Sequence, residues 1–226
     1  MNIFGIQVDK KTDVLALSAF LLSVAGIISQ LLILSVVTLR GTAVSLFNPD
    51  QVLFKADAFE KDGERYLRIG ARMAYTNSGA TGYTAVIKRE TVTMDFGSGF
   101  AVRQQWQSFE TFDIVDQKLT SIERKPANPM PIEAGSAESH DTYFVPFREW
   151  CDQGAKECDE WRNYLSWSGF LDKTKNTEQL VLKFAGEVYG DEPVHASCTV
   201  RVDRNFTERV TKNGWYAPSC REKRDQ

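Results

Sequence analysis

The sequence has few of the residues on which most recognisable catalytic and metal sites depend. Only two histidines and four cysteines occur among its 226 residues. The cysteines are separated by 6, 39 and 21 residues, whereas structural zinc sites use closely spaced pairs. The sequence contains neither a phosphate-binding P-loop nor a G-x-S-x-G nucleophile turn. We therefore predict a protein that is not an enzyme and that holds no metal and no cofactor.

Neither histidine stands in a sequence context typical of catalysis. His140 lies between Ser139 and Asp141, but adjacent strand residues point to opposite faces, so this triplet cannot form a catalytic triad by itself. His195 follows Asp191 and Glu192 at a predicted turn. A histidine with two carboxylates is one way to bind a metal ion, but we favour the simpler interpretation of an exposed turn.

An excess of charge of one sign is also lacking. The formal net charge is −3, and proteins that bind nucleic acids usually carry a basic stripe and a high isoelectric point. We therefore predict no nucleic-acid partner. Aromatic residues, in contrast, are abundant, with 14 Phe, 7 Tyr and 5 Trp, which argues for a folded domain and against intrinsic disorder.

One stretch contains no charged residue. Val14 to Leu39 is a run of 26 residues without Asp, Glu, Lys, Arg or His. As a helix it would span ~39 Å at ~1.5 Å per residue, enough to cross a hydrocarbon core of ~30 Å. We predict a single transmembrane helix at 14–39, with membrane lipid as a partner, between a tail at 1–13 and a juxtamembrane linker at 40–50.

Two other interpretations of this run remain open. A cleavable signal peptide would usually have a shorter apolar core, of about 7–15 residues. A buried helix of a soluble protein would usually carry a polar stripe. Both are less consistent with the length and uniformity of the run than a membrane anchor is.

One face of the predicted helix combines small residues with the only amide in the run. The residues recur at alternating steps of three and four: Ala16, Ala19, Ser23, Gly26 and Gln30. Small residues let helix backbones approach closely in lipid, and a buried Gln can hydrogen-bond to a neighbouring helix. The stripe therefore predicts transmembrane packing, including self-association. The ordinary Ser and Gly content of membrane helices is the alternative.

All four cysteines lie in the second half of the polar domain: Cys151, Cys158, Cys198 and Cys220. An even number of cysteines in a membrane-anchored domain is typical of disulfides in an oxidising compartment. Four cysteines allow three pairings, of which we favour the two local closures, Cys151–Cys158 and Cys198–Cys220. Four reduced thiols in a cytoplasmic domain are the alternative.

The orientation of the anchor depends on these cysteines. Lys10 and Lys11 precede the helix, while Arg40 and Lys55 follow it, so the positive-inside rule does not decide the orientation. The predicted disulfides favour a C-terminal domain in the periplasm or outside the cell. The triplet beginning at Asn205 is a glycosylation sequon, but such triplets are common by chance.

Residues 51–226 predict one mostly β domain. Arg65 to Thr76 alternates polar and apolar residues in the way of a half-buried strand. Further strands are predicted at 52–56, 83–96, 100–112, 138–147, 179–189 and 194–203. The strands over 65–112 would form an antiparallel meander of three. Seven or so strands with hairpin connections favour an immunoglobulin-like antiparallel β-sandwich.

The surplus length predicts two insertions in this sandwich, near 113–137 and 149–177. Three prolines within 125–131 favour an irregular first insertion. The spacing of apolar residues in the second favours a short helix over 156–171. Four aromatic residues stand out there: Trp150, Trp161, Trp167 and Phe170. They are either core or a partner-contact surface, since exposed apolar patches rich in Trp usually mark interfaces.

Together these features predict a membrane-anchored, non-enzymatic binding or scaffold module of the cell envelope, with a protein partner. The β-sandwich would lie outside the cytoplasmic membrane. One alternative is an accessory subunit of a larger membrane complex, in which the helix stripe is the contact. The other is a membrane-tethered cytoplasmic sensor or effector, which requires reduced cysteines.

Overall fold

The computed structural model describes residues 2–3, 6–7, 12–58, 65–97, 99–115, 118–146 and 165–222. The chain divides into two compact units, Met1–Gly41 and Thr42–Gln226. The first contains two short antiparallel strands, β1 (Asn2–Ile3) and β2 (Ile6–Gln7), and the long helix α1 (Thr12–Arg40).

Helix α1 is apolar on all sides. Ala16–Ser35 has a mean hydropathy of 2.3 and is long enough to cross a membrane, a criterion that a signal sequence near an N-terminus also meets. Its large apolar side chains are exposed, Leu22 with 74% of its surface. The hydroxyl of Ser23 donates to the carbonyl of Ala19 (2.9 Å), so this polar group is satisfied within the helix.

The second unit consists mainly of strands, which all pair antiparallel. The strands are β3 (Val44–Phe47), β4 (Val52–Ala58), β5 (Arg65–Asn77), β6 (Ala85–Asp95), β7 (Ala101–Val115), β8 (Lys118–Pro126), β9 (Met130–Ile132), β10 (Ala137–Pro146), β11 (Gln179–Val188), β12 (Val194–Arg201), β13 (Trp215–Tyr216) and β14 (Arg221–Glu222). The helices are α2 (Trp167–Thr174) and α3 (Arg204–Asn213).

These strands join in one curled sheet of twelve, in the order β13-β4-β5-β10-β7-β6-β11-β12-β14. In addition, β3 pairs with β5, β8 with β7 and β9 with β6. The inner face of the sheet holds the core. On β5 the predicted alternation is confirmed, since the inward residues are all buried: Leu67, Ile69, Ala71, Met73 and Tyr75.

The predicted three-strand meander is wrong for its first strand. β6 and β7 form the expected hairpin, but β5 pairs with β4, β3 and β10. The side chain of Asn77 explains the departure, because it donates to the carbonyls of Tyr83 (3.1 Å) and Ile132 (3.0 Å). These bonds hold the β5–β6 connection against β9 rather than letting the chain reverse in a tight turn.

Residues 113–137 are more regular than predicted. β7 continues to Val115, and β8 and β9 follow it. Pro126 ends β8, and Pro131 lies in β9. Both strands are edge additions to the sheet, where a residue without an N–H donor is tolerated.

The helices differ from the prediction in number and position. α2 begins at Trp167, near the end of the predicted 156–171 helix, while residues 147–164 lie outside the described part of the chain. The sequence pattern also missed α3. Asp203 caps its first turn by accepting from the backbone of Phe206 (2.9 Å), and Gly214 ends it in a left-handed conformation.

The mostly β domain and the N-terminal apolar helix are therefore confirmed. The division of the sheet into two immunoglobulin-like layers and the insertion of α1 in a membrane stay predictions.

Candidate functional site

A groove of about 800 Å³ lies on the outer face of the sheet. Its lining comes from the neighbouring strands β4, β5, β10 and β7, from the β3–β4 connection and from Ala217 and Ser219. Polar and apolar groups both line it. At its rim the side chain of Phe47 is 52% exposed.

The floor of the groove is low because β5 carries small residues there. Gly70 and Ala74 both line the groove. A Cβ added at Gly70 would lie 2.7 Å from ring atoms of Tyr143, so only glycine lets this ring lie directly over the strand. Burial raises the pKa of Tyr143, helped by the carboxylates of Glu110 and Asp141 and opposed by the positive charge of Arg68.

Arg68 lies beneath this ring and is only 2% exposed. Its guanidinium is 4.6 Å from the centre of the Tyr143 ring. It donates to Asp57 (3.0 Å), to the hydroxyl of Ser108 (2.9 Å) and to Glu110. A buried charge is costly unless it is paired and hydrogen-bonded. The Nε atom of Arg68 has no partner within the described residues.

Glu110 joins this buried cluster to the groove. It is 3% exposed and also accepts from Ser108 (2.6 Å), and Arg124 approaches it to 3.3 Å from the solvent side. A second ion pair, Arg72 with Asp141 (2.9 and 3.2 Å), lies in the groove and is exposed. These charged groups of the groove and of the buried cluster are therefore paired with each other.

One wall of the groove belongs to a C-terminal segment, Trp215–Glu222, which we call the strap. Its first residues form β13 on β4, and its last form β14 on β12. β4 and β12 lie towards opposite ends of the sheet order, so the strap closes the curled sheet on itself.

Backbone hydrogen bonds and a disulfide hold the strap against the rest of the domain. Pro218 accepts from the backbone of Val52 (3.2 Å), and Cys220 donates to the carbonyl of Asp50 (2.7 Å). The predicted disulfide Cys198–Cys220 is present and ties the strap to β12. The favoured pair Cys151–Cys158 lies outside the described residues.

A second polar cluster lies inside the curl, around the fully buried Glu90. This carboxylate accepts hydrogen bonds from Tyr75 (2.7 Å) and Thr142 (2.6 Å), and Nε2 of His140 lies 2.9 Å from it. Burial raises the pKa of Tyr75, and the charge and hydrogen bond of Glu90 raise it further. The ring of Phe109 packs edge-on against His140 at 4.5 Å.

The two histidines lie in different surroundings, and only His140 belongs to this cluster. His140 turns towards Glu90 and not towards its neighbours Ser139 or Asp141, of which Asp141 pairs with Arg72 on the outer face. His195 is exposed on β12. Within the described residues, no three His, Cys, Asp or Glu side chains are grouped closely enough to hold a metal ion.

The predicted aromatic cluster is only partly within the described structure. Trp167 is 6% exposed and Phe170 is fully buried, where it packs against Phe54 (5.6 Å) and Trp167 (5.5 Å). These two rings therefore correspond to the core alternative. Trp150 and Trp161 lie outside the described residues, and their role as a partner contact stays a prediction.

The small-residue stripe of α1 is placed on the helix as the spacing predicts, and no described residue covers it. Ala16, Ala19, Ser23, Gly26 and Gln30 are all exposed, and a Cβ added at Gly26 would meet nothing within 4 Å. The packing role of the stripe stays a prediction.

Sequence reasoning missed both buried polar clusters. In the sequence, Arg68 is one polar member of an alternating strand. Its buried partner Glu110 lies 42 residues further along the chain, so no local pattern connects the two. Glu90 follows Lys88 and Arg89 in a strand rich in β-branched residues, which also contains Asp95. Nothing in this local pattern distinguishes Glu90 from the other charged residues, and its partners could not be identified without the sheet order.

No protein-family model and no curated protein matches this chain. Among solved structures, Spo0M, a sporulation control protein from Bacillus subtilis, is similar over 75% of this chain, with 10% identity and a TM-score of 0.30. The match covers 54% of the Spo0M chain, so this chain spans about half the length of that structure. A likeness at this level carries no argument about fold or function.

Proposed function

We propose that this protein is a membrane-anchored, non-enzymatic binding or scaffold module of the cell envelope. In this proposal α1 crosses the membrane once. The curled β domain, arranged broadly as an immunoglobulin-like sandwich, lies outside the cytoplasmic membrane and binds a protein partner through its outer-face groove.

The observation that carries the proposal is the exposure of α1. Leucine, isoleucine and phenylalanine side chains along Ala16–Ser35 are 39–74% exposed, and the window has a mean hydropathy of 2.3. Burying each such side chain is worth ~1.5–3 kcal/mol, so a helix with this composition favours an apolar surrounding on every side. A lipid bilayer supplies that surrounding.

Two features of the β domain support the proposed compartment and the proposed binding role. The disulfide Cys198–Cys220 is typical of domains in oxidising compartments. The groove combines an exposed aromatic rim with paired charges, which resembles the mixed polar and apolar lining of binding sites more than that of a reactive centre.

Anchoring is tested by extracting membranes with alkaline carbonate. We expect the full chain to remain in the pellet. Ile27→Arg, near the centre of the apolar window, should weaken insertion by ~2.5–3.5 kcal/mol, whereas Leu17→Arg near its end should cost less. Release of a shortened fragment that begins after residue 40 would contradict anchoring and favour a cleaved signal peptide.

The side of the membrane on which the β domain lies is tested in intact cells with a membrane-impermeant maleimide. We expect Cys220 to be labelled only after reduction, because it is bonded to Cys198. Labelling that requires lysis of the cells would place the domain in the cytoplasm.

The groove is tested with a photo-crosslinking residue at Phe47, and with the same residue at Ile122 as the matched control. Both positions are well exposed, at 52% and 65%, but only Phe47 lines the groove. We expect a protein adduct at position 47 that is absent at position 122. Equal adducts at both positions would contradict the groove as the binding surface.

A further inference from the structure

An exposed aromatic ring stands at one end of the groove. Phe47 aligns with Ala74 of β5. Among the large apolar side chains that are exposed in the described part of the β domain, it is the one that lines the groove. Removal of such a ring from water is favourable, so this end of the groove favours a partner that covers the ring.

The opposite end of the groove is a low apolar recess. Leu53 and Tyr143 align with Gly70 from its two sides, and the ring of Tyr143 lies directly over this glycine. Phe112 packs against the same ring at 4.6 Å. Leu53 and Phe112 are each half-buried, so the recess offers apolar surface that another aromatic ring can cover.

The exposed ring and the recess lie on opposite sides of Arg72. Ala74 follows Arg72 by two residues and Gly70 precedes it by two, so each end is ~7 Å from Arg72 along the strand. Phe47 lies on β3 at one edge of β5, and Tyr143 lies on β10 at the other edge. The two ends are therefore related diagonally across Arg72.

One further charge belongs to each end of the groove. Asp50 follows Phe47 by three residues, is exposed and lines the groove. The ammonium of Lys55 lies 5.1 Å from the centre of the Phe112 ring, which belongs to the recess. The end with the exposed ring is therefore acidic, and the end with the recess is basic.

The centre of the groove carries one charge of each sign. Arg72 contacts Asp141 at 2.9 and 3.2 Å, and their side chains are 70% and 35% exposed. Glu110, which also lines the groove, is paired with the buried Arg68. Like charges across an interface repel, whereas opposite charges favour association. A groove with balanced charges at its centre and opposite charges at its ends therefore fits a copy of itself that is turned end for end.

We propose that the groove is a two-fold interface with a second copy of this chain. This inference rests on the groove as the binding surface proposed above, and it names the partner. A two-fold axis near Arg72 brings Phe47 of one copy over the recess of the other, and Asp50 towards Lys55. Each Arg72 then lies near Asp141 of both copies. Every contact is made twice, as an interface between identical surfaces requires.

The first test identifies what contacts Phe47. The full chain, purified in detergent as a mixture of isotope-labelled and unlabelled copies, carries a photo-crosslinking residue at Phe47, or at Ile122 as the control. We expect an adduct of two chains, one of each isotope, at position 47 and not at position 122. The same two proteins are also irradiated in membranes.

Two outcomes of this test separate the inference from the proposed function. An adduct at position 47 with a different protein in membranes, and none between copies, would overturn the second copy and leave the groove as the binding surface. Adducts that do not differ between positions 47 and 122 in either preparation would overturn the groove itself.

The second test exchanges the charges at the centre of the groove. Arg72→Asp alone or Asp141→Arg alone places like charges across the interface, which should weaken the dimer at least ~10-fold in sedimentation of the full chain. A mixture of the two variants restores opposite charges and should form a dimer with one copy of each. Arg89→Asp and Glu187→Arg alter an exposed ion pair that does not line the groove, and they should leave the dimer unchanged.

Recovery of the dimer in the mixture would also show that both variants are folded. A mixture that stays monomeric, although each variant unfolds at the temperature of the wild type, would overturn the two-fold contact. A dimer that persists in each variant alone would arise from another contact, such as α1, and would equally overturn the groove as the interface.

Discussion

Tyr75 and Gly186 lie against each other across the interior of the curled sheet. A Cβ added at Gly186 would lie 2.7 Å from the hydroxyl oxygen and 2.9 Å from a ring carbon of Tyr75. Tyr75 is fully buried, and its hydroxyl donates to Glu90 (2.7 Å). The absence of a side chain on β11 therefore makes room for the hydrogen bond that satisfies a buried carboxylate on β6.

Gly186→Ala should destabilise the domain by ~1–3 kcal/mol, because the added methyl group overpacks a rigid ring that has no free space. Denaturant unfolding measures the change. Ala185→Ser, which adds one atom at the neighbouring outward position, is the control and should cost less. An alanine variant as stable as the wild type would show that the Tyr75 ring can move away from Glu90 without loss.

The same tyrosine predicts a loss of stability at alkaline pH. Burial, with Glu90 nearby, raises the pKa of Tyr75 above the usual value for tyrosine. Below pH ~10 both states hold the proton, so the contribution is complete. Above it, the unfolded chain releases a proton that the folded chain keeps, and stability falls by ~1.4 kcal/mol per pH unit.

Unfolding free energies at pH 10 and 11 test this effect. Tyr75→Phe should reduce the loss of stability between these two pH values by ~1 kcal/mol, because the unfolded tyrosine is about half ionised at pH 10, whatever the effect of the substitution on stability at neutral pH. Tyr189→Phe, which removes an exposed tyrosine, is the control. An unchanged slope in Tyr75→Phe would contradict the raised pKa.

The elements that the sequence predicts well are those whose signal is local. Helix α1 follows from an uncharged run, and β5 follows from strict alternation over Arg65–Asn77. The β6–β7 hairpin follows from a glycine pair between two strands. In each case the residues that determine the structure are also neighbours in the chain.

What the sequence does not predict depends on partners that are far apart in the chain. β8 has few buried residues of its own, and it exists as a strand through its backbone pairing with β7. The strap closes a sheet whose order cannot be derived from hydropathy alone. The groove depends on the strap, because Ala217 and Ser219 line it together with residues as far away in the chain as Phe47.

Arg68 and Arg72 lie on the same face of β5 and allow a direct comparison of a buried with an exposed ion pair. Arg68→Met should cost ~3–5 kcal/mol, because it leaves Glu110 buried with only Ser108 and the exposed Arg124 as partners. Arg72→Met should cost ~0–1 kcal/mol, since its pair with Asp141 is exposed. Equal losses of unfolding free energy in the two variants would contradict the buried network.

The strap predicts a local effect of the Cys198–Cys220 disulfide. Replacing both cysteines by alanine should lower stability by ~2–4 kcal/mol, as the bond closes a loop of sequence separation 22. Amide hydrogen exchange should rise most at position 220 and at Val52, whose N–H groups bond across the strap. Ser219→Ala keeps the disulfide and is the control. A uniform rise in exchange over the domain would contradict local closure by the strap.

Phe170 offers a test of how much the aromatic residues near α2 contribute to the stability of the domain. It is fully buried and packs against Phe54, Phe206 and Trp167 at centroid distances of 5.5–6.3 Å. Phe170→Ala should therefore destabilise the domain by ~3–5 kcal/mol through the lost contacts and the cavity left behind. Thermal and denaturant unfolding measure this loss.

The exposed position Ser168 on the same helix supplies the control, and Ser168→Ala should change stability by no more than ~0.5 kcal/mol. Trp161→Ala then separates the two alternatives for the rest of the cluster. A loss of stability comparable with that of Phe170→Ala would make Trp161 part of the same core. A stable Trp161→Ala variant that no longer co-purifies with a partner would make it a contact residue, because a ring that contributes to binding and not to folding must lie on the surface.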